Sequence, residues 1–125
     1  MPNTILPGYE MPFGSKKFLV FDHTGPTSYV AFVSPSTGGD VINAADLGEG
    51  GFDFIDSDMT DPAGQVYAQV QPINGGNGNA LPSVRIVWYS LVTATIGGQA
   101  QTANTQIVAA TNLSAIALRL RAMCV

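Results

Sequence analysis

Val84-Arg85-Ile86-Val87-Trp88-Tyr89-Ser90-Leu91-Val92-Thr93-Ala94-Thr95-Ile96 is the most strand-like run of the chain. Val84, Ile86, Trp88, Val92 and Ile96 fall on one face of an extended segment, and Val87, Tyr89 and Leu91 on the other. Apolar residues on both faces predict a strand covered from both sides in its middle. At ~3.3 Å per residue the run would reach ~40 Å, so it is expected to bend or carry a bulge. Gly97-Gly98 ends it.

On its N-terminal side, the stretch from Pro72 to Pro82 contains Asn74-Gly75-Gly76-Asn77-Gly78-Asn79 and reads as a loop. Before that loop, Val66-Tyr67-Ala68-Gln69-Val70-Gln71 alternates as a half-buried strand does. Residues 40–64 are acidic and glycine-rich, with a short strand signal at Phe52-Asp53-Phe54-Ile55. Lys17 to Phe21 and Tyr29 to Val33 are apolar runs separated by Thr24-Gly25-Pro26-Thr27, and they read as a hairpin or as neighbouring strands. After Gly98, strands are favoured at 104–109 and 114–123. Ile116, Leu118 and Leu120 alternate there with Arg119 and Arg121, although Ile107, Ala110, Leu113, Ala117, Leu120 and Cys124 also fit a helical stripe. The chain is therefore read as all-β, a β-sandwich or small barrel of five to eight short strands.

Residues 1–16 stand apart as an extended arm preceding a single domain over 17–125. Pro2, Pro7 and Pro12 recur every five residues and exclude a stable helix. Ile5, Leu6, Tyr9, Met11 and Phe13 lie between and around them, and a purely solvated tail is poor in such residues. They are the expected partner-binding residues, docking in a groove of a neighbouring subunit or of the same domain.

Charged residues make up 11% of the 125 positions, less than half the usual quarter. Threonine, serine, asparagine and glutamine together number 31. A surface of neutral polar groups is easier to desolvate than one of ions, so the composition favours a protein whose exterior is covered by partners. All nine acids lie in the first 61 residues beside Lys16 and Lys17, while Arg85, Arg119 and Arg121 follow with no acid. That split serves either contact between copies or pairing of arginine with aspartate inside one fold. Net charge −4 and five scattered cations do not make a nucleic-acid-binding patch. No apolar window is long enough for a membrane-spanning helix, and no targeting signal is visible, so a soluble protein is expected.

No catalytic constellation emerges, and no enzymatic activity is expected. His23 is the only histidine. It sits beside Asp22 before a Gly-Pro turn, with Ser34 and Ser36 available but no nucleophile elbow, and a turn histidine is the favoured reading. Cys124 has no histidine near it in sequence. Gly76-Asn77-Gly78 lacks the third glycine and the helix start of a phosphate loop. Asp56, Asp58 and Thr60 match the first ligands of an EF-hand, but Asp61 stands where glycine is needed and no glutamate follows Glu49. A looser Ca²⁺ site at Asp56, Asp58 and Asp61 is the metal candidate, set against a plain solvated loop. No cofactor is expected.

In its short β-rich domain, its proline-punctuated arm Met1–Phe13, its few lysines and its Thr/Asn/Gly/Ala-rich segments Ser90–Thr95 and Gln101–Ala110, the chain resembles the small capsid decoration or cement proteins of tailed bacteriophages. The resemblance implies a structural protein of the virion, made in the host cytoplasm. It implies self-association, with a trimer among the possibilities, and binding to a major capsid protein. A tail, neck or baseplate protein is the second expectation. A carbohydrate-binding β-sandwich using Trp88, Tyr89 or Tyr67 is the third.

Overall fold

The computed structural model describes residues 3–14, 16–33, 37–57, 64–73 and 81–125, the side chains of 6–9 and 13 excepted. The strands are β1 (Asn3–Phe13), β2 (Lys16–Thr24), β3 (Asp40–Asn43), β4 (Phe52–Ser57), β5 (Val66–Pro72), β6 (Ser83–Ser90), β7 (Ala94–Ile96), β8 (Gln99–Gln101), β9 (Thr105–Gln106) and β10 (Ala117–Cys124). A 3-10 turn at Ala44–Leu47 is the one helical element among the described residues.

Two antiparallel sheets form a sandwich-like arrangement. The first has the order β1-β2-β10-β4 and the second β3-β6-β5, with β9 also on β6; β7 and β8 make a separate hairpin. Leu19 and Phe21 of β2 and Leu118, Leu120, Ala122 and Cys124 of β10 face Ile42, Val66, Val84, Ile86 and Trp88 from the second sheet in one core. Alternation is cleanest in β10, so the strand reading there holds and the helical one does not.

The decisive run folds as expected in its middle. Arg85, Val87 and Trp88 are all buried, so β6 is covered on both faces. It ends at Ser90, whose Oγ donates to the Val92 carbonyl at 2.6 Å and turns the chain before β7.

Three expectations change. Tyr29–Val33 is not a strand beside β2. The Gln106 side-chain amide donates to the Phe32 carbonyl, accepts from the Phe32 N–H, and so takes the place of a neighbouring strand's peptide. Tyr29 meanwhile exchanges backbone hydrogen bonds with Ala110 and Thr111. The strand expected over 104–109 shrinks to Thr105–Gln106, with Asn104 and Ala110 at positive φ on either side. The acidic stretch after residue 39 contains β3 and the 3-10 turn, which Gly48 closes in the left-handed conformation at φ 79°.

Asn3–Phe13 is extended and pairs with β2. Its register jumps between Ile5 and Glu10, so that a bulged segment containing Pro7 faces a short stretch of β2. An outermost strand tolerates proline because one side of it has no neighbour needing its N–H.

Gly97 and Gly98 make the β7–β8 turn with φ 57° and 84°. A Cβ on Gly97 would overlap the Asn112 carbonyl oxygen, whereas one on Gly98 meets nothing within 4 Å. Gly98→Ala is expected to cost about 1 kcal/mol from positive φ alone. Gly97→Ala should cost roughly twice that or more, because a steric overlap adds to the same φ penalty. Urea unfolding of the two variants measures the difference.

Candidate functional site

A buried polar cluster lies between the sheets. In β2 the odd positions Leu19, Phe21 and His23 face the core, which turns His23 inward and Asp22 outward. His23 is only 1% exposed. Its Nε2–H donates to Asp40 Oδ2 at 2.6 Å, and the Trp88 indole N–H donates to the same oxygen at 3.1 Å. On the other side His23 Nδ1 lies 2.6 Å from Asn3 Oδ1, while the Asn3 amide nitrogen is buried without a partner. Turning that amide by half a revolution sets its N–H on Nδ1 and removes the orphaned donor.

His23 is therefore not a turn histidine. Nor does it offer a free nitrogen to a substrate, since both are engaged and the ring is enclosed. What the cluster does is fasten β1 and β2 of one sheet to β3 and β6 of the other. Tyr29 adds a second fastening: its hydroxyl accepts the Trp88 backbone N–H and donates to Gln106 Oε1, and burial raises its pKa.

The other sequence candidates separate. Ile5 is half-buried and packs on the core, Met11 is 47% exposed, and the side chains of Leu6, Tyr9 and Phe13 lie outside those described. Asp56 accepts a two-pronged contact from Arg121, with Nε and Nη2 each at 3.3 Å. Asp58 and Asp61 lie outside the described residues, as do Ser34 and Ser36. Among the described residues no three His, Cys, Asp or Glu side chains gather as a metal site would require. Cys124 is fully buried at the end of β10, and burial pushes its thiol up to about 11, well away from a reactive thiolate.

The split charge is used internally. Arg119 grips Asp22 at 2.9 and 3.1 Å, and Lys16 pairs with Asp53. Lys17 bridges Glu10 and Glu49 at 2.8 Å each, and the two carboxylates raise its pKa. Arg85 is buried, donates to the Gly38 carbonyl and lies 4.8 Å over the Phe32 ring.

Two surface features remain. An open cleft of about 640 Å³ beside the Gly97-Gly98 turn is lined by Gln65, Thr95, Asn112 and Ser114 among others, with no ionisable side chain. On the outer face of the second sheet the directly opposed Tyr67 and Tyr89 stack at 5.1 Å, next to Gln69. Trp88 is enclosed and unable to stack on a ligand.

The geometry defines a mainly β, sandwich-like protein with an internal polar fastening and with its lysines and arginines engaged within the chain. Comparison with protein-family models, curated proteins and solved structures found no match.

Two outcomes follow from this cluster and from Cys124. Asp40→Ala strands the His23 and Trp88 donors and should cost about 3 kcal/mol, whereas Asp40→Asn keeps an acceptor and should cost less; denaturant unfolding reads both. The Cys124 thiol stays neutral in the fold while the unfolded thiol ionises near its ordinary value of 9.0. Its contribution is thus complete below pH 9 and lost as pH rises toward 11. Cys124→Ala should flatten the stability-pH curve across that interval, and the native thiol should resist maleimide until the protein unfolds.

Proposed function

We propose that this chain is a structural protein of a virion that binds a capsid shell and stabilises it through surface contacts, as a decoration or cement protein does. The observation that carries the reading is that all five cationic side chains are engaged within the chain itself. Neutralised pairs are easier to cover than lone ions, because each charge keeps its counterpart when water leaves. Among the described residues the outward surface then carries these pairs, the exposed Asp46, neutral polar groups and exposed apolar side chains such as Val30, Val33, Val41, Phe54 and Val108. Such a surface suits partners made of protein, here further copies and a major capsid protein. It offers little to a phosphate backbone, which needs cations free to displace counterions.

Shells carrying the protein should survive higher temperature or stronger osmotic shock than shells lacking it. Equal survival ends the cement reading. Electron microscopy of particles with a labelled copy separates a head location from a tail, neck or baseplate one.

A carbohydrate-binding reading has one specific observation in its favour, the half-exposed Tyr67–Tyr89 stack beside glutamine amides. A glycan array probed with wild type and with Tyr67→Ala tests it. Retention of a sugar by wild type and its loss in the variant would support that reading.

A further inference from the structure

The outer face of the four-stranded sheet carries an apolar row that runs across all its strands. Met11 of β1 lies opposite Phe18 of β2, Phe18 opposite Met123 of β10, and Met123 opposite Phe54 of β4. Directly opposed residues project to the same side of a sheet. The alternate positions Leu19 and Ala122 fill the core, so this row points away from it. Met11 and Phe54, at the two ends, are 47% and 48% exposed, and Phe18 and Met123 are half-buried between them.

An ion pair borders the row on each side. Arg121 and Asp56 pair two positions along β10 and β4, and Lys16 pairs with Asp53 beyond the other flank. The row is thus an apolar strip between two neutralised pairs, with no net charge to repel a like surface.

We infer that a second copy of this chain covers the row, face to face, about a two-fold axis lying in the interface parallel to the strands. Such an axis exchanges β1 with β4 and β2 with β10. It lays Met11 on Phe54 of the other copy, and Phe18 on Met123 of the other copy. Each methionine then meets an aromatic ring, a favourable sulfur contact, and the contact is self-complementary as a two-fold demands. The other in-plane axis, along the row, lacks this match: it would set each methionine on its counterpart in the other copy and each ring on its counterpart.

The available area also fits a pair. Four strands ~4.8 Å apart and about eight residues long at ~3.3 Å each offer about 500 Å² per copy. Two such faces bury about 1,000 Å², the lower bound for a specific interface, so the dimer forms in proportion to concentration. The inference deepens the assembly reading above, since it names the contact between copies, and its test uses purified protein without shells.

Sedimentation equilibrium of the full chain, from micromolar to millimolar, is expected to show a monomer–dimer equilibrium. The double variant Met11→Lys/Phe54→Lys should weaken it by about tenfold or more with the melting temperature retained, since both side chains are already exposed. In the double variant Met11→Cys/Phe54→Cys, the two thiols of one chain lie three strand spacings apart, about 14 Å. A bismaleimide too short for that span should link residue 11 of one copy to residue 54 of another, while buried Cys124 stays unreacted. A monomer throughout the range, a trimer, an equilibrium indifferent to the lysine variant, or links of 11 to 11 and 54 to 54 would each overturn the inference. A monomer that still protects shells removes this contact and leaves the cement reading standing; a dimer that fails to protect them does the reverse.

Discussion

Asp40 holds one carboxylate oxygen between the His23 ring of the first sheet and the Trp88 indole of the second. A backbone bridge between Phe52 of β4 and Leu81, just before β6, also joins the sheets at one end, and their facing interiors meet through aliphatic and aromatic surfaces, which attract without fixing register. A buried polar contact is different, because any slip strands a donor in a place without water. The shared oxygen thus sets how β3 and β6 lie against β2. Asn3 extends the same constraint to β1 from the far side of the ring.

The same economy governs the surface. Arg119–Asp22 and Arg121–Asp56 are cross-strand pairs, the first joining β10 to β2 and the second joining β10 to β4. Each is partly exposed, so its worth to stability is modest. Its effect on recognition is larger, since an aspartate held by a guanidinium fork no longer advertises charge to a passing partner. Arg119 and Arg121 of the second half are thereby held against aspartates of the first, and the charge that remains is an acidic surplus, net −4.

Much of this architecture was readable from alternation. The double burial of β6, the strand at β5 and the buried Leu118 and Leu120 all follow from period two, while Cys124 lies one residue past the strand expected at 114–123. The inward turn of His23 was not read, because its place before Gly25-Pro26 favoured a turn, whereas β2 runs on to Thr24 and sets His23 and Asp22 on opposite faces. What alternation lacks is partners. Nothing local joins His23 to Asp40 seventeen residues on, or Gln106 to the Phe32 peptide it satisfies. The Tyr29–Val33 run is as β-prone as β2, yet a single glutamine amide occupies the place a strand would take. The apolar row of Met11, Phe18, Met123 and Phe54 was equally invisible, because its members come from four separate strands and only the register aligns them. Of the arm, its extended character was legible from proline spacing, and its hydrogen-bonded neighbour was not.

The prolines of β1 bear on how copies are allowed to meet. A naked outer strand is a template onto which another chain can add, and growth of that kind has no natural end. Pro7 within the bulge and Pro12 opposite Lys17 remove donors from that border, and Glu10 sets a charge between them. Stacking into fibrils is thereby discouraged along one margin of the molecule, and association is steered toward broad surfaces, where it closes after a fixed number of subunits.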